Sequence, residues 1–165
     1  MKEHKIETVI QELEWSELSE IERHLVEEAK EATRRSMAEY SKFHVGAALL
    51  LDNGEIVCGS NQENAAYTSG TCAERSACFY AGARYPGVPF RKLAIAAWTS
   101  EGKPEGKDWE WYFQPQPISP CGLCRQALLE YETKSGPIEV ILYGRDKIYK
   151  VKSIADLLPF CFTEF

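Results

Sequence analysis

The hydrophobic and polar positions of the chain predict helices alternating with strands. The segment LSEIERHLVEEAKEATRRS, residues 18–36, predicts the first helix, and Ser19 with Glu22 fits a capping box at its start. Apolar residues recur there at helical spacing. The predicted buried face consists of Ile21, Leu25, Ala29, Ala32 and Met37. The preceding KIETVI, residues 5–10, fits either an added edge strand or a short helix.

The middle of the chain predicts a hairpin followed by a helix. Two apolar runs within FHVGAALLLDNGEIVCGSN, residues 43–61, flank the tight-turn sequence Asp52-Asn53-Gly54. TCAERSACFYAGARY, residues 71–85, is rich in small and aromatic residues. We therefore expect this second helix to be buried on more than one side.

The last third predicts a strand, a helix and two further strands. KLAIAAW (92–98) and IEVILYG (138–144) are nearly all apolar, as in strands covered on both faces of a sheet. CGLCRQALLEYET (121–133) predicts the helix between them, and the alternating KIYKVKS (147–153) predicts an edge strand. The order helix, hairpin, helix, strand, helix, strand, strand indicates a three-layer α/β architecture.

A long segment, residues 99–119, separates two of these elements. Its first part is rich in Gly, Pro and charged residues, and a cluster of aromatic residues follows. We expect an exposed loop that packs its aromatic residues on itself or on a neighbour. We expect Trp109 and Trp111 to pack within the protein or at an interface, and we assign them no functional role.

Length and composition narrow the class of protein. The 165 residues predict a single domain, 1–165, with 1–18 as an N-terminal extension. A net charge of −6 argues against an electrostatic nucleic-acid binder. The N-terminus lacks the apolar region of a secretory signal, and no apolar run is long enough for a membrane span. We therefore expect a cytoplasmic protein with neither nucleic acid nor membrane as a partner.

Three of the six cysteines have the spacing of metal ligands. In a reducing compartment, cysteines are ligands or core residues more often than disulfide partners. Cys121 and Cys124 form a C-x-x-C pair where a helix begins, and Cys72 begins another helix. A helix N-terminus favours thiolates. Because no fourth Cys or His lies nearby in sequence, the pattern predicts a catalytic zinc site with one position open for water.

Charged residues next to these cysteines suggest supporting roles. Glu74 follows Cys72 by two positions and can carry protons between zinc-bound water and a substrate nitrogen. Its alternative role is that of a first-turn glutamate favoured by the helix dipole. Arg75 and Arg125 can hydrogen-bond the sulfurs and offset their charge, or form surface ion pairs.

Four blocks of the sequence resemble the small cytidine deaminase family. They are YSKFHVGAALL, NQENAAYTSGTCAER, SPCGLCRQ and LLPFCF, in that order, between Tyr40 and Phe162. The combination CAE with PCGLC is similar to the all-cysteine form of the zinc deaminase signature. The resemblance implies an α/β/α sandwich with a mixed five-stranded sheet, and a homotetramer with shared active sites.

The resemblance also implies a role for individual residues. Cys72, Cys121 and Cys124 would bind one Zn²⁺ per chain, and Glu74 would carry protons. Five further residues would bind a nucleoside substrate. Asn61 and Glu63 would hold the ribose, Phe43 would pack against the base, Ala73 would meet the base edge, and Phe162 would reach a neighbouring subunit's active site. The alternative for Asn61 and Glu63 is that they only finish a strand in a turn.

The implied activity is the hydrolysis of cytidine and deoxycytidine to uridine and deoxyuridine, a step of pyrimidine salvage. Three alternatives stay open. A deaminase of a nucleoside-like antibiotic such as blasticidin S would lack the NxEN block, which is present here. A non-catalytic zinc-stabilised binding module would need a fourth ligand. A C-x-x-C oxidoreductase would leave Cys72 and Glu74 without a role.

Overall fold

A computed structural model describes residues 1–102 and 104–163. Lys103, in the predicted long loop, and Glu164 and Phe165, at the end of the predicted domain, lie outside the described residues. The strands are β1 (Gln11–Leu13), β2 (Phe43–Leu51), β3 (Ile56–Ser60), β4 (Phe90–Thr99), β5 (Glu139–Tyr143) and β6 (Ile148–Val151). The α-helices are α1 (Glu20–Ala32), α2 (Ala73–Arg84) and α3 (Gly122–Ser135).

The strands form one mixed sheet in the order β1-β6-β5-β4-β2-β3. Only β4 and β5 are parallel among the neighbouring pairs, because α3 connects them as a crossover. Alternate side chains of β2 point to opposite faces of the sheet. Leu49 packs in the core beneath α2 and α3, whereas Ala48 packs beneath α1. Helices cover both faces, so the predicted three-layer α/β/α sandwich is confirmed.

The sheet has six strands rather than the expected five. Residues 11–13 of the N-terminal extension pair with β6 as the added strand β1. The expectation that residues 147–153 form an edge strand is therefore wrong, since β6 lies between β1 and β5. Residues 5–10 form neither a strand nor a helix, and the edge strand begins just after them.

The helix boundaries confirm the capping box but change the predicted buried faces. The Ser19 backbone N–H donates to Glu22 Oε2 at 2.8 Å, as expected of a capping box. Met37 is exposed because α1 has already ended at Ala32, and Ile21 in the first turn is exposed as well. The buried residues of α2 are Ala73, Glu74, Ala77, Cys78 and Ala81. The exposed aromatic side consists of Phe79 and Tyr80.

Two glycines allow α2 to pack closely on its neighbours. A Cβ atom on Gly59 of β3 would lie 2.4 Å from the carbonyl oxygen of Ala73, at the start of α2. A Cβ atom on Gly82 of α2 would lie 2.5 Å from the hydroxyl of Tyr131 on α3. A side chain at position 59 would push α2 away from the sheet, and one at position 82 would displace either the Tyr131 ring or α2.

The long loop folds back on the sheet and packs its own aromatic residues, as expected. A short 3₁₀ helix, Trp109–Tyr112, brings Trp109 within 5.3 Å of the Trp98 ring and 5.1 Å of the Phe113 ring, between centroids. Phe113 is fully buried in the core on the α1 side of the sheet. Among the described residues, no helix has both the length and the apolar character that crossing a membrane requires.

A network of charges around the buried Glu22 joins α1 to three strands. Glu22 Oε1 accepts hydrogen bonds from Lys92 at 3.1 Å and from Lys150 at 2.5 Å, and Glu139 pairs with both lysines. Burial raises the pKa of the Glu22 carboxyl, but the hydrogen bonds from Lys150, Ser19 and Lys92 outweigh it. They hold the pKa of Glu22 well below its usual range.

We expect Glu22→Gln to lower the free energy of unfolding by about 1.5–3 kcal/mol at pH 7, as for hydrogen bonds to a charged group. Because the folded-state pKa of Glu22 is depressed, its contribution is present above the unfolded pKa of about 4.3 and is lost as pH falls below that value. Denaturation from pH 7 to pH 3 should therefore show a shallower acid decline for the variant. Glu20→Gln, at an exposed position of the same helical turn, is the control, and an equal effect of both would contradict the network's role.

Candidate active site

Three sulfur atoms meet where α2 and α3 begin. Cys72 is the N-cap residue of α2 and Cys121 is that of α3, while Cys124 lies in the first turn of α3. The Sγ atoms of Cys72 and Cys121 are 3.9 Å apart, and those of Cys121 and Cys124 are 3.5 Å apart. All three lie within 4.8 Å of one another. The structure thus brings together the three cysteines that the sequence singled out.

The electrostatics of the cluster favour a thiolate. Hydrogen bonding by the Cys124 thiol, together with Arg75 and Cys121, lowers the pKa of Cys72 to about 5 although burial opposes this. The same contact with Cys72, together with burial, raises the pKa of Cys124. One negative charge is therefore already stable in the cluster. A bound cation would release the remaining thiol protons.

This donor set fits zinc. Thiolates on a short, convergent spacing are the ligands that zinc takes in tetrahedral sites, and catalytic sites use three protein ligands. In the part of the chain that the structure describes, the group of possible ligands contains these three cysteines and no other Cys, His, Asp or Glu. Cys72, Cys121 and Cys124 are thus the residues that would hold the ion.

Glu74 lies in the first turn of α2, two residues after Cys72. Its side chain is buried, with 4% exposure, because α2 rests directly on β3 at this point. Burial, reinforced by the charge of Cys72, raises the pKa of Glu74 to about 7, although interactions with its own backbone N–H and with Cys124 oppose the shift. Near neutral pH the carboxyl group can therefore both hold and release a proton, as an acid–base group requires.

Arg75 and Arg125 differ in what they contact. Burial lowers the pKa of Arg75, but its interactions with the sulfurs of Cys72 and Cys124 outweigh this and raise it. Arg125 donates instead to the carbonyl oxygens of Pro120 at 2.7 Å and Leu157 at 2.5 Å, and to Ser119 Oγ at 2.9 Å. Arg125 therefore braces the segment before Cys121, and its contact with a sulfur stays a prediction.

A cavity of about 540 Å³ opens beside the cysteines. Its lining includes Ser41, Asn61, Glu63, Tyr67, Cys72 and Arg75. Two of the residues expected to bind substrate, Asn61 and Glu63, therefore share a cavity with Cys72, one of the three cysteines.

The other three expected substrate-binding residues lie in different settings. Ala73 is fully buried beside Cys72. Phe43 is half-buried at the start of β2. Phe162 is 64% exposed, and its carbonyl oxygen accepts a hydrogen bond from Gln126 of α3 at 2.7 Å.

Asn61 and Glu63 also hold the protein chain. Asn61 Oδ1 accepts from the Val45 N–H at 2.8 Å, and Asn61 Nδ2 donates to the Phe43 carbonyl oxygen at 3.0 Å. Glu63 Oε2 accepts from the backbone N–H groups of Tyr40 and Ser41. Asn61 and Glu63 thus hold the start of β2 and the turn before it, and both also line the cavity, so their binding of a sugar stays a prediction.

Sequence reasoning missed Ser41, whose hydroxyl donates to Glu63 Oε1. The available signal was a serine at the start of a turn, a residue type that bonds the backbone two residues on. The Phe43 N–H makes that bond to Ser41 Oγ at 3.1 Å. The distance of 22 residues between Ser41 and Glu63 hid the second contact.

A three-thiol metal site beside a buried acid–base carboxyl group and a cavity is the arrangement of a zinc-dependent hydrolytic enzyme. Residues 19–139 match the cytidine and deoxycytidylate deaminase zinc-binding region. The chain is 38% identical over 143 residues to a cytidine deaminase of Sporosarcina psychrophila, covering 85% of this chain and 90% of the relative. It is 34% identical over 144 residues to one of Halalkalibacterium halodurans, covering 84% and 92% respectively.

A solved structure agrees with these relatives. The crystal structure of cytidine deaminase from Burkholderia pseudomallei superposes with a TM-score of 0.68 at 36% identity. The match covers 88% of this chain and 100% of that one. The chain therefore belongs to the cytidine and deoxycytidylate deaminase family.

Proposed function

We propose that the chain, as a single domain, binds one zinc ion through Cys72, Cys121 and Cys124 and deaminates cytidine and deoxycytidine by hydrolysis. The observation that carries this proposal is the buried Glu74 carboxyl group, whose pKa is about 7, beside the three-cysteine cluster. The relatives named cytidine deaminases support a cytosine nucleoside as substrate. Salvage of pyrimidine nucleosides in the cytoplasm suits this activity, and all six cysteines are free, as in a reducing compartment.

The proposed chemistry moves protons through Glu74. Bound zinc supplies Lewis acidity, which lowers the pKa of water. Glu74 accepts a proton from the attacking water and delivers it to N3 of the cytosine ring, so that C4 becomes more electrophilic. The water oxygen adds to C4. Glu74 then passes the second water proton to the amino group, the C4–N bond breaks, and ammonia leaves.

The remaining residues orient the nucleoside. Asn61 and Glu63 bind the sugar hydroxyls from the cavity wall, and Phe43 packs against the base. The backbone of Ala73 meets the base edge. The carboxylate of Glu63 repels a phosphate on the sugar, so nucleosides are better substrates than nucleotides or DNA strands.

The charge of the cluster needs compensation, and Arg75 supplies it. Three thiolates around one zinc ion carry a net negative charge that opposes loss of a proton from water. Arg75 interacts with the sulfurs of Cys72 and Cys124 and offsets part of that charge. Arg125 contributes by fixing Pro120, the residue before the ligand Cys121.

Incubation of the purified chain with cytidine, deoxycytidine, cytosine and blasticidin S tests the activity. We expect ammonia release from the two nucleosides, together with one zinc per chain by metal analysis. A chelator should abolish the activity and added zinc should restore it. Turnover of blasticidin S without turnover of cytidine would favour the antibiotic deaminase. Full activity in a zinc-free preparation would contradict the metal proposal.

Glu74→Gln tests the proton carrier, because glutamine keeps the size of glutamate but cannot carry the proton. We expect kcat to fall by at least ~10²-fold, the lower end for positioned acid–base groups. Zinc content should stay the same, since Glu74 is not among the ligands. Glu130→Gln, at an exposed position of α3, is the matched control.

If Glu74 only interacts with the helix dipole and carries no proton, Glu74→Gln should give a different result. The variant would then lose only ~0.3–1 kcal/mol of stability and keep its kcat. Measurement of kcat together with the melting temperature separates the two roles.

We also propose a homotetramer in which Phe162 reaches a neighbour's active site. Large apolar side chains are exposed on α2, on α3 and at the C-terminus, which is more than isolated exposure explains. They are Phe79, Tyr80, Leu123, Phe160 and Phe162. Sedimentation should give the mass of four chains of 18.7 kDa each, and Phe162→Ala should lower activity without loss of zinc. A fully active monomer would rule the assembly out.

A further inference from the structure

A tight turn at the mouth of the cavity precedes β2. Its backbone is fixed on both sides, since the Lys42 N–H donates to the Ala38 carbonyl oxygen at 2.9 Å and the Lys42 carbonyl oxygen accepts from Thr99 Oγ1 at 3.0 Å. Lys42 has a φ of 55°, which ordinary residues rarely adopt. The turn is therefore held in one conformation, and Tyr40 and Ser41 within it line the cavity.

The carboxylate of Glu63 is attached to this turn. Its Oε2 accepts from the N–H of Tyr40 at 2.8 Å and of Ser41 at 3.2 Å. Its Oε1 accepts from the Ser41 hydroxyl. An ionised carboxylate has about four acceptor sites. Three are thus used by the described residues, and the remaining one, on Oε1, is available to a hydroxyl group of a ligand in the cavity.

The Ser41 hydroxyl connects two parts of the cavity wall. It donates to Glu63 and accepts from the Phe43 N–H at 3.1 Å. The Phe43 carbonyl oxygen in turn accepts from Asn61 at 3.0 Å. A continuous chain of hydrogen bonds therefore joins the two residues proposed to hold the sugar, Asn61 and Glu63, through the residue proposed to pack against the base.

We propose that Ser41 is a positioning residue that sets the orientation of the Glu63 carboxylate toward the sugar hydroxyls and so determines selectivity for the sugar. This inference rests on the proposed function, in which Glu63 binds the ribose. Without the Ser41 hydroxyl, only Oε2 is held and the carboxylate can turn about that anchor. The hydrogen bond from Ser41 is also the largest cause that lowers the pKa of Glu63, as expected of a hydrogen bond that favours the ionised carboxylate.

Kinetics of Ser41→Ala on two substrates test the inference. The substrates are cytidine and 2′,3′-dideoxycytidine, which lacks both ring hydroxyls. We expect KM for cytidine to rise about tenfold, equivalent to about 1.4 kcal/mol, with kcat within about twofold. KM for dideoxycytidine should change by less than about twofold, because it has neither the 2′- nor the 3′-hydroxyl that Glu63 would bind. General damage to the turn would raise both KM values alike and would overturn the proposal.

Three further variants sharpen the test. Ser41→Thr keeps the hydroxyl and should keep the KM for cytidine, whereas Ser41→Cys should behave like Ser41→Ala and serves if the alanine variant does not fold. Ser100→Ala is the matched control, since the Ser100 N–H bonds the same turn at Lys42 while its hydroxyl has no hydrogen bond among the described residues.

A double variant measures the coupling directly. If Ser41 acts through Glu63, Ser41→Ala should add less than about twofold to the KM of Glu63→Gln. If instead the fold-increases in KM of the two single variants multiplied in the double variant, the proposal would be overturned. If the unmutated protein had no activity on cytidine, the proposed function would be refuted. If the unmutated protein were active and Ser41→Ala had the same KM for cytidine, this inference alone would be refuted.

Discussion

The site depends on the close approach of two helix N-termini, because the three sulfur atoms come from both. Cys72 begins α2 and Cys121 begins α3, so a shift of either helix by an ångström or two would separate the ligands. Glycines remove the side chains that would cause such a shift. Gly59 lets α2 rest on β3, and Gly82 lets it touch Tyr131 of α3. The geometry of the cluster is thus a consequence of how α2 packs.

The same packing determines the acid–base chemistry. Because α2 lies directly on the sheet, the first-turn carboxyl of Glu74 is buried rather than solvated, and burial raises its pKa to about 7. A first-turn glutamate on an exposed helix would be ionised at this pH. Helix position favours a thiolate at Cys72 and helix burial raises the pKa of Glu74, so one structural feature produces both properties of the candidate site.

Local patterns predicted this centre because its residues are close in sequence. Cys121 and Cys124 share one helical turn, and Glu74 follows Cys72 by two residues. The sequence could not predict β1, since three residues carry too little periodicity and their pairing with β6 is decided by tertiary contact. The contacts of Arg125 could not be predicted for a related reason. Its guanidinium donates to the carbonyl oxygens of Pro120 and Leu157, and Leu157 lies 32 residues away in sequence.

The N-terminal extension and the long loop pack on the α1 side of the sheet, opposite α2 and α3. Lys30 of α1 is buried, and its ammonium group is 2.6 Å from Glu110 of the long loop and 5.7 Å from the ring centroid of Trp15 in the N-terminal extension. One buried cation therefore fastens both segments to the α1 layer. Among the described residues, the cavity lining includes none from either segment. The extension and the loop can thus differ from those of relatives while the α2–α3 layer, which holds the metal ligands and Glu74, keeps its geometry.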